Sequence, residues 1–496
     1  MPSYVHLKIS ILFFVLFCTV LTTPSHAQID DEERVLSAVV ERVSKSYGGK
    51  AMRSLRTVTI KSDRRLAWPG QGQTSLFVEH ATDINHKHFD LKNQQGSVER
   101  WIHQNGNIYH NRYIVTKDGG ATIDYFQSSI ERNPDENYLE SFHSDYRISD
   151  ILLAHLLVTK PPEMTYKDEG RYGEHIHDII QFSITPDSPK LDVYVSKTDG
   201  LIRRISYARE SDNVNIIFSN HTRKKGLAYA RDQQVYLGDT LVEYESNLTL
   251  IPNARVAKRI VIEGGLTPPK EPIDMTKMSV DEISPQAYVA GQGDYSLFVP
   301  YENGLIAVNA YGGLKARYDA VTKSIGKNLP LIGAIITHHH SDHMDGVSDA
   351  LDLGAKLYVT EETKRALLNS DNNVDDSRIH VMQDESSIGP LTVYIRGTSH
   401  VTQNAFIFHK TSGALFQDDH YHGLLKNGPS RIQPTARVLY DFISESRLPV
   451  KYLLSGHARK AEEWDVFDQA VRNYSQSICP KKRAICEGRS LSGIYP

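Results

Sequence analysis

The chain has 496 residues, with 56 Lys and Arg against 60 Asp and Glu and a formal net charge of −4. It is longer than one ordinary core, so two domains are expected; 40% hydrophobic and 23% charged residues exclude disordered and fibrous classes. The acidic balance argues against a polyphosphate partner held by bulk electrostatics, nucleic acid included.

Residues 1–27 differ from the rest. MPSYVHLK carries one Lys, ISILFFVLFCTVLTT is apolar, and PSHA ends in the small residues Ser25 and Ala27. This reads as a secretory signal peptide cut after Ala27. Its apolar run of about 15 residues is short of the roughly 20 that span a bilayer. Phe17 is too large to precede a lipidated Cys18. Cleavage removes Lys8 and no acid, which takes the net charge to −5. No later stretch is apolar enough to span, so the expected location is periplasmic or secreted. Cys479 and Cys486 remain, in CPKKRAIC, and in an oxidising compartment they are expected to pair.

Asp30 to Lys45 reads as an amphipathic helix with acids in its first turn. From about Arg56 to Glu263 the pattern is strand-like. SLRTVTIKS, SLFVEHATDI, HKHFDLKN, ERWIHQNGNIYHN, ATIDYFQSS, DIIQFSIT, LDVYVSK, LIRRISYA, VNIIFSN and RVAKRIVIEG mix β-branched and aromatic residues in alternation. One helical interruption covers roughly Tyr138 to Thr159. The stretch reads as one large antiparallel sheet with a helix or two packed on it. Gly264 to Asp274, GGLTPPKEPID, reads as a linker.

Beyond the linker, SLFVPYENGLIAVNA reads as a hairpin. LIGAIIT, KLYVT, LTVYIRG, NAFIFHK, GALFQDD and KYLLSG read as strands. Helices are expected at GVSDALDLG, EETKRALLNS, QPTARVLYDFISES and EEWDVFDQAVRNYSQS. This alternation predicts layered α/β architecture. The whole is therefore α+β: leader 1–27, β-rich domain 28–270, layered α/β domain 275–478 and tail 479–496.

ITHHHSDHMDG follows the apolar run LIGAII and holds His338, His340, Asp342 and His343 in an H-x-H-x-D-H pattern. Neutral imidazole and carboxylate are the ligands that zinc and similar ions select. A solvated loop could gather histidines by chance. It would not need more of them at later strand ends, yet His400 follows LTVYIRGTS, Asp419 follows GALFQD and His457 follows KYLLSG.

On these motifs the sequence resembles the metallo-β-lactamase superfamily of hydrolases over about Val280 to Ser477. The resemblance implies an αββα sandwich with two zinc ions, iron or manganese being alternatives. His338, His340 and His400 would hold the first ion, Asp342, His343 and His457 the second, with Asp419 bridging. His339 would point elsewhere. A hydroxide between the metals would attack an ester, lactone, thioester or amide, with Asp342 ligating and orienting it. Two departures stand out: Asp418 occupies the usual Gly position before the bridging acid, and Asn309 the usual Asp position ending an early strand. The alternation of strand side chains and the family spacing favour Asp419 over Asp418 as the bridge. Tyr421 and His422 are candidates for substrate contact. The N-terminal half is similar, around VYVSKTDGLIRRISY and IIFSNHTRKKGLAYA, to the curved sheet of outer-membrane lipoprotein carriers.

The expected partner is a small-molecule substrate, apolar ones included, with no nucleic acid and no stable membrane span after cleavage. Three other functions stay open: a mononuclear iron oxidoreductase of the same fold, an apolar-ligand carrier with a structural metal domain, and a β-lactamase. The last is disfavoured by the lack of any Cys between Cys18 and Cys479.

Overall fold

The computed structural model describes residues 26–473, apart from 69, 77, 126–128, 210–211, 267–275, 285, 371–373, 426–427 and 430–431. The expected leader therefore lies outside the described residues except for its last two positions. Most of the linker, Cys18, Cys479, Cys486 and the tail also lie outside them.

The first helix, α1 (His26–Tyr47), is followed by one turn, α2 (Lys50–Arg53). Val39, Val43 and Tyr47, four apart, form its fully buried stripe. Then come β1 (Thr57–Trp68), β2 (Glu79–Asp90), β3 (Gln95–Gln104) and β4 (Asn107–Thr116). They belong to a 13-stranded sheet in which every pairing is antiparallel. Two meanders make it up, one starting at β1 and one running from Thr165 to Pro252. They join where β1 pairs with the last strand, Val58 opposite Pro252.

The helical interruption is two helices, α3 (Tyr138–Arg147) and α4 (Asp150–Thr159). Asn137 caps α3, its side-chain oxygen accepting from Leu139 N at 3.0 Å. The sequence of α4, DILLAHLLVT, is apolar almost all round, so it has no solvent face and sits inside the core. Phe142 of α3 seats this layer on the sheet, edge-on to Phe89 at 5.2 Å and to Tyr113 at 5.5 Å between ring centres. Phe142→Ala should destabilise this half by about 3–5 kcal/mol, read as an earlier unfolding transition in denaturant.

Some strand assignments fail. RVAKRIVIEG, expected as a strand, is a short 3-10 turn (Ala257–Arg259) in irregular chain. Val256 and Ile260, four apart, cover Ile114, Ile123 and Ile130 of the sheet, so their β-branched side chains are buried by packing and not by pairing. Conversely, Thr165–Tyr172, Leu227–Leu237 and Thr240–Pro252 are strands the pattern did not single out. A cavity of about 590 Å³ lies between the sheet and α3. Val98, Ile216 and Val235 share its wall with Arg64, Lys87 and Glu243, so it is not a purely apolar concavity.

After the linker, the chain builds four layers. A seven-stranded sheet (residues 279–381) and a six-stranded sheet (387–463) face each other. Their shared core contains Leu297, Val308 and Ile335 from one and Val393, Ile407 and Leu454 from the other. The helix Leu314–Ile325 and its neighbours cover the outer face of the first sheet, burying Leu314 and Val321 against Phe298 and Ala307. Pro434–Ser446 and Trp464–Arg472 cover the second, with Leu439 and Phe467 against Phe406 and Leu415. Among the described residues no helix is long and apolar enough to cross a membrane.

The two halves meet at the tips of two N-terminal hairpins. In the β1–β2 connection, Gly70 O accepts from Ser341 N at 2.9 Å and Gln73 O from Thr402 N at 2.9 Å. Ser75 donates from both backbone N and Oγ to Glu362, at 2.6 and 2.8 Å. Beside the β3–β4 turn, Gln433 exchanges two hydrogen bonds with the Ile108 backbone.

Candidate metal centre

Each candidate ligand stands where a strand runs out. His338 to His343 follow Leu331–Ile335, a strand paired in parallel on both sides. His400 follows Leu391–Arg396, Asp419 follows Ala414–Phe416 and His457 follows Tyr452–Ser455. The chain must turn at these ends, so side chains from both sheets converge on one edge of the sandwich.

His338, His340, His400 and Asp419 each bring one ligand atom within 4.8 Å of the others, and Asp342, His343 and His457 form a second such group. Asp419 joins the two. Its Oδ2 lies 3.1 Å from His400 Nε2 and 3.2 Å from His343 Nε2; its Oδ1 lies 3.2 Å from His457 Nε2. His339 turns away, its Nε2 donating to Gly72 O at 2.8 Å.

Each clustered imidazole has its other nitrogen fixed by an oxygen. His343 Nδ1 donates to Asp418 Oδ2 at 2.9 Å, and His457 Nδ1 to Asp294 Oδ1 at 3.0 Å. His338 Nδ1 faces Thr337 Oγ1 at 3.2 Å and Asp418 Oδ2 at 3.7 Å. His340 Nε2 donates to Gly72 O at 3.1 Å, and His400 Nδ1 to Asn105 O at 3.3 Å. Such partners set the tautomer and leave the lone pair of the opposite nitrogen directed inward.

Asp418 and Asp419 do different things. Asp418 is fully buried at φ +62° and is surrounded by donors. Asn309 Nδ2 reaches its Oδ2 at 2.6 Å, Thr337 Oγ1 bonds the same oxygen, and Tyr311 OH reaches Oδ1 at 2.8 Å. Asp418 also lies within ligand distance of His338 and His343. Its oxygens are already occupied by these donors, whereas Asp419 Oδ1 is buried without a directed hydrogen bond. Asn309 thus costs the centre no charge: the carboxylate that orients His343 comes from Asp418, and Asn309 holds Asp418 in turn.

Sequence reasoning passed over Tyr311 and Asp294, which act on ligands from outside any motif. It also passed over Gly456, although the SGH signal was there. A Cβ at Gly456 would overlap Tyr311 OH and Asp418 Oδ1, so only glycine lets His457 follow so closely.

Burial, then the crowding of neighbouring imidazoles, holds His338 and His340 well below the ordinary histidine range, in the neutral form that ligates. Burial also opposes charge on His343 and His457. There the carboxylates outweigh it, Asp418 foremost for His343 and Asp419 for His457, and both are held well above the ordinary range. Asp342 is held low despite burial, chiefly by His343. Without a cation, imidazolium balances the carboxylates; a divalent ion would take over that role and displace the protons. An all-His/Asp donor set, with His340 Nδ1 buried and lacking a hydrogen-bond partner, fits zinc-like ions.

The expectation for Tyr421 needs correction. It is 3% exposed and turned into the outer core, its ring 4.5 Å from Phe467 and its hydroxyl donating to Glu462 at 3.4 Å. Residue 421 lies past the turn Asp418–His420 in extended conformation, which aims the ring at the covering helices. His422 stays beside the centre, 5.5 Å from the His457 ring. Tyr421→Phe should leave KM for any substrate unchanged and cost no more than about 1 kcal/mol, since it removes one long hydrogen bond.

No family model matches the chain, and no curated protein matches it. Solved structures do. DIM-1 metallo-β-lactamase is 17% identical with a TM-score of 0.33, over 39% of this chain and 95% of that one. A metallo-β-lactamase from Hirschia baltica is 16% identical, TM-score 0.31, over 39% and 96%. One from Pontibacter korlensis is 15% identical, TM-score 0.31, over 40% and 100%. Likeness of this degree carries no argument about activity.

Proposed function

We propose that this chain is an exported hydrolase that uses two divalent ions, zinc first among them, to cleave a small ester, lactone, thioester or amide. The observation that carries the reading is the seven-residue cluster in which every imidazole is pinned from behind, His340 Nδ1 is buried without a hydrogen bond and Asp419 stands between the two groups. Two cations held there would make bound water acidic near neutral pH and polarise the scissile carbonyl.

The remaining work falls to the protein. His338, His340 and His400 are at most 3% exposed, whereas the side chains of Asp342 and His457 are 36% and 31% exposed. The substrate therefore enters on the Asp342–His457 side. Asp342 is held by Gln71 and His457 at this mouth, where its carboxylate can accept a hydrogen bond from the attacking water. Held far below the ordinary range, it is a poor store for a proton, so its part is to orient. In the reaction the water oxygen bonds to the carbonyl carbon, the bond to the leaving group breaks, and the leaving group takes up a proton.

The test is a panel of esters, lactones, thioesters, amides including β-lactams, and phosphodiesters on the zinc-loaded mature chain. Ester or lactone turnover, abolished by chelator and restored by zinc, is expected. No turnover of any member, together with iron-dependent oxidation of a thiol substrate, would establish the oxidoreductase instead. The charged cavity wall argues against a carrier for purely apolar ligands. Export rests on residues 1–27, and the N-terminus of protein recovered from the producing cell should begin near Gln28.

A further inference from the structure

We infer that the metal centre is completed by the N-terminal sheet, whose hairpin tips set the orientation of ligands in the other half, so that hairpin docking and metal affinity are coupled. This rests on the metal-site reading above but not on hydrolysis. Three of the seven clustered residues take their outer partner from the β1–β2 connection or the β3–β4 turn. Gly72 O accepts from His340 Nε2 at 3.1 Å. Asn105 O accepts from His400 Nδ1 at 3.3 Å. Gln71 Nε2 donates to Asp342 Oδ1 at 2.7 Å. The other three histidines are held by Asp418 and Asp294, from their own half.

The effect on the ligand atoms is specific. With Nε2 tied to Gly72, His340 presents Nδ1, which is buried and has no hydrogen-bond partner. With Nδ1 tied to Asn105, His400 presents Nε2, 3.2 Å from His338 Nε2. Two imidazole nitrogens so close either share a proton or face a common cation. If the hairpins withdrew, both rings could rotate or exchange tautomers, and the first group would lose its shared focus. Outer partners of this kind are worth about 10–100-fold in metal affinity.

The approach of the β3–β4 turn is built into the sequence. Gly106 has φ +75°, and a Cβ there would lie 2.5 Å from Ser399 Oγ and 2.7 Å from Ser399 O, next to His400. Only glycine allows the Asn105 carbonyl to reach the ring. Because the coupling is a free energy, it runs both ways: metal must favour the docked hairpins as much as docking favours metal.

The experiment uses the full mature chain stripped of metal. Zinc affinity is measured by competition with a chromophoric chelator for wild type, Gly106→Ala, Gly173→Ala and Gln71→Ala. Gly173 is the control, with φ +60° and open space around its Cβ position, so it carries the same backbone strain without the contact. Gly106→Ala should weaken one zinc by about 10–100-fold, and Gly173→Ala should match wild type. Gln71→Ala, which removes only a side chain, should weaken zinc too and keeps the test alive if Gly106→Ala does not fold. In wild type, zinc should slow hydrogen exchange in residues 70–76 and 104–108. Equal affinities for all four proteins, with exchange in the hairpins indifferent to zinc, overturn the coupling alone. A wild-type chain that binds no zinc overturns the metal-site reading and the coupling with it.

Discussion

Asp419→Ala is expected to lose metal and turnover together while the apo chain keeps its fold. Asp419 touches the inward-facing nitrogens of both ligand groups, His400 and His343 at Oδ2 and His457 at Oδ1, whereas Asp418 meets His338 and His343 from behind, at Nδ1. Removing it leaves Asp342 as the remaining carboxylate of the two ligand groups. Two cations would then sit among neutral imidazoles with half their compensating charge gone. kcat/KM should fall by about a hundred- to a thousandfold, the scale seen when a group acting directly on the reacting charge is lost. Stability of the apo chain should change less than for Asp418→Ala, since near neutral pH His343 and His457 can give up the protons that Asp419 balances and fewer directed hydrogen bonds are lost. Asp419→Asn should fare almost as badly as Asp419→Ala, because the amide keeps the shape and loses the charge.

Asp418→Ala should show the opposite balance. Its carboxylate is wholly buried and receives Asn309 Nδ2, Tyr311 OH, Thr337 Oγ1 and His343 Nδ1. Truncation leaves these donors facing a small void. At about 1–3 kcal/mol for each buried polar group left unmet, the loss should reach roughly 4 kcal/mol or more. The apparent melting temperature of the metal-free chain should drop clearly below that of Asp419→Ala. Metal affinity should fall as well, by about 10–100-fold, because His343 loses the partner that aims it. If instead Asp418→Ala melts like wild type and Asp419→Ala is the one that unfolds, the roles of the two acids are exchanged.

How much of this could be read from the chain depended on where the information is stored. His338 to His343 were legible because ligands and the buried strand before them are contiguous in sequence. His400, Asp419 and His457 were legible because each follows an apolar strand. Strand alternation and the family spacing favoured Asp419 over Asp418, but the strand ends at Phe416 and both acids lie in a 3-10 turn with Asp418 at φ +62°, so it is the turn and not alternation that sends them different ways. Gly72 and Asn105 left no signal, since any residue supplies a carbonyl and only the fold decides where it points. Tyr421 misled because proximity to Asp419 in sequence says nothing of direction after a turn. In the N-terminal half, β-branched alternation marked most strands, but Val256 and Ile260 show the same composition serving a segment that covers a sheet without joining it.

The most direct test is elemental analysis of wild type and Asp419→Ala, prepared side by side, incubated with excess zinc and desalted. The geometry predicts about two ions per wild-type chain and one or fewer in the variant. Wild-type protein that retains no divalent ion, or a variant that retains as many as wild type, contradicts a centre built on His338, His340, His400, Asp342, His343 and His457 around Asp419.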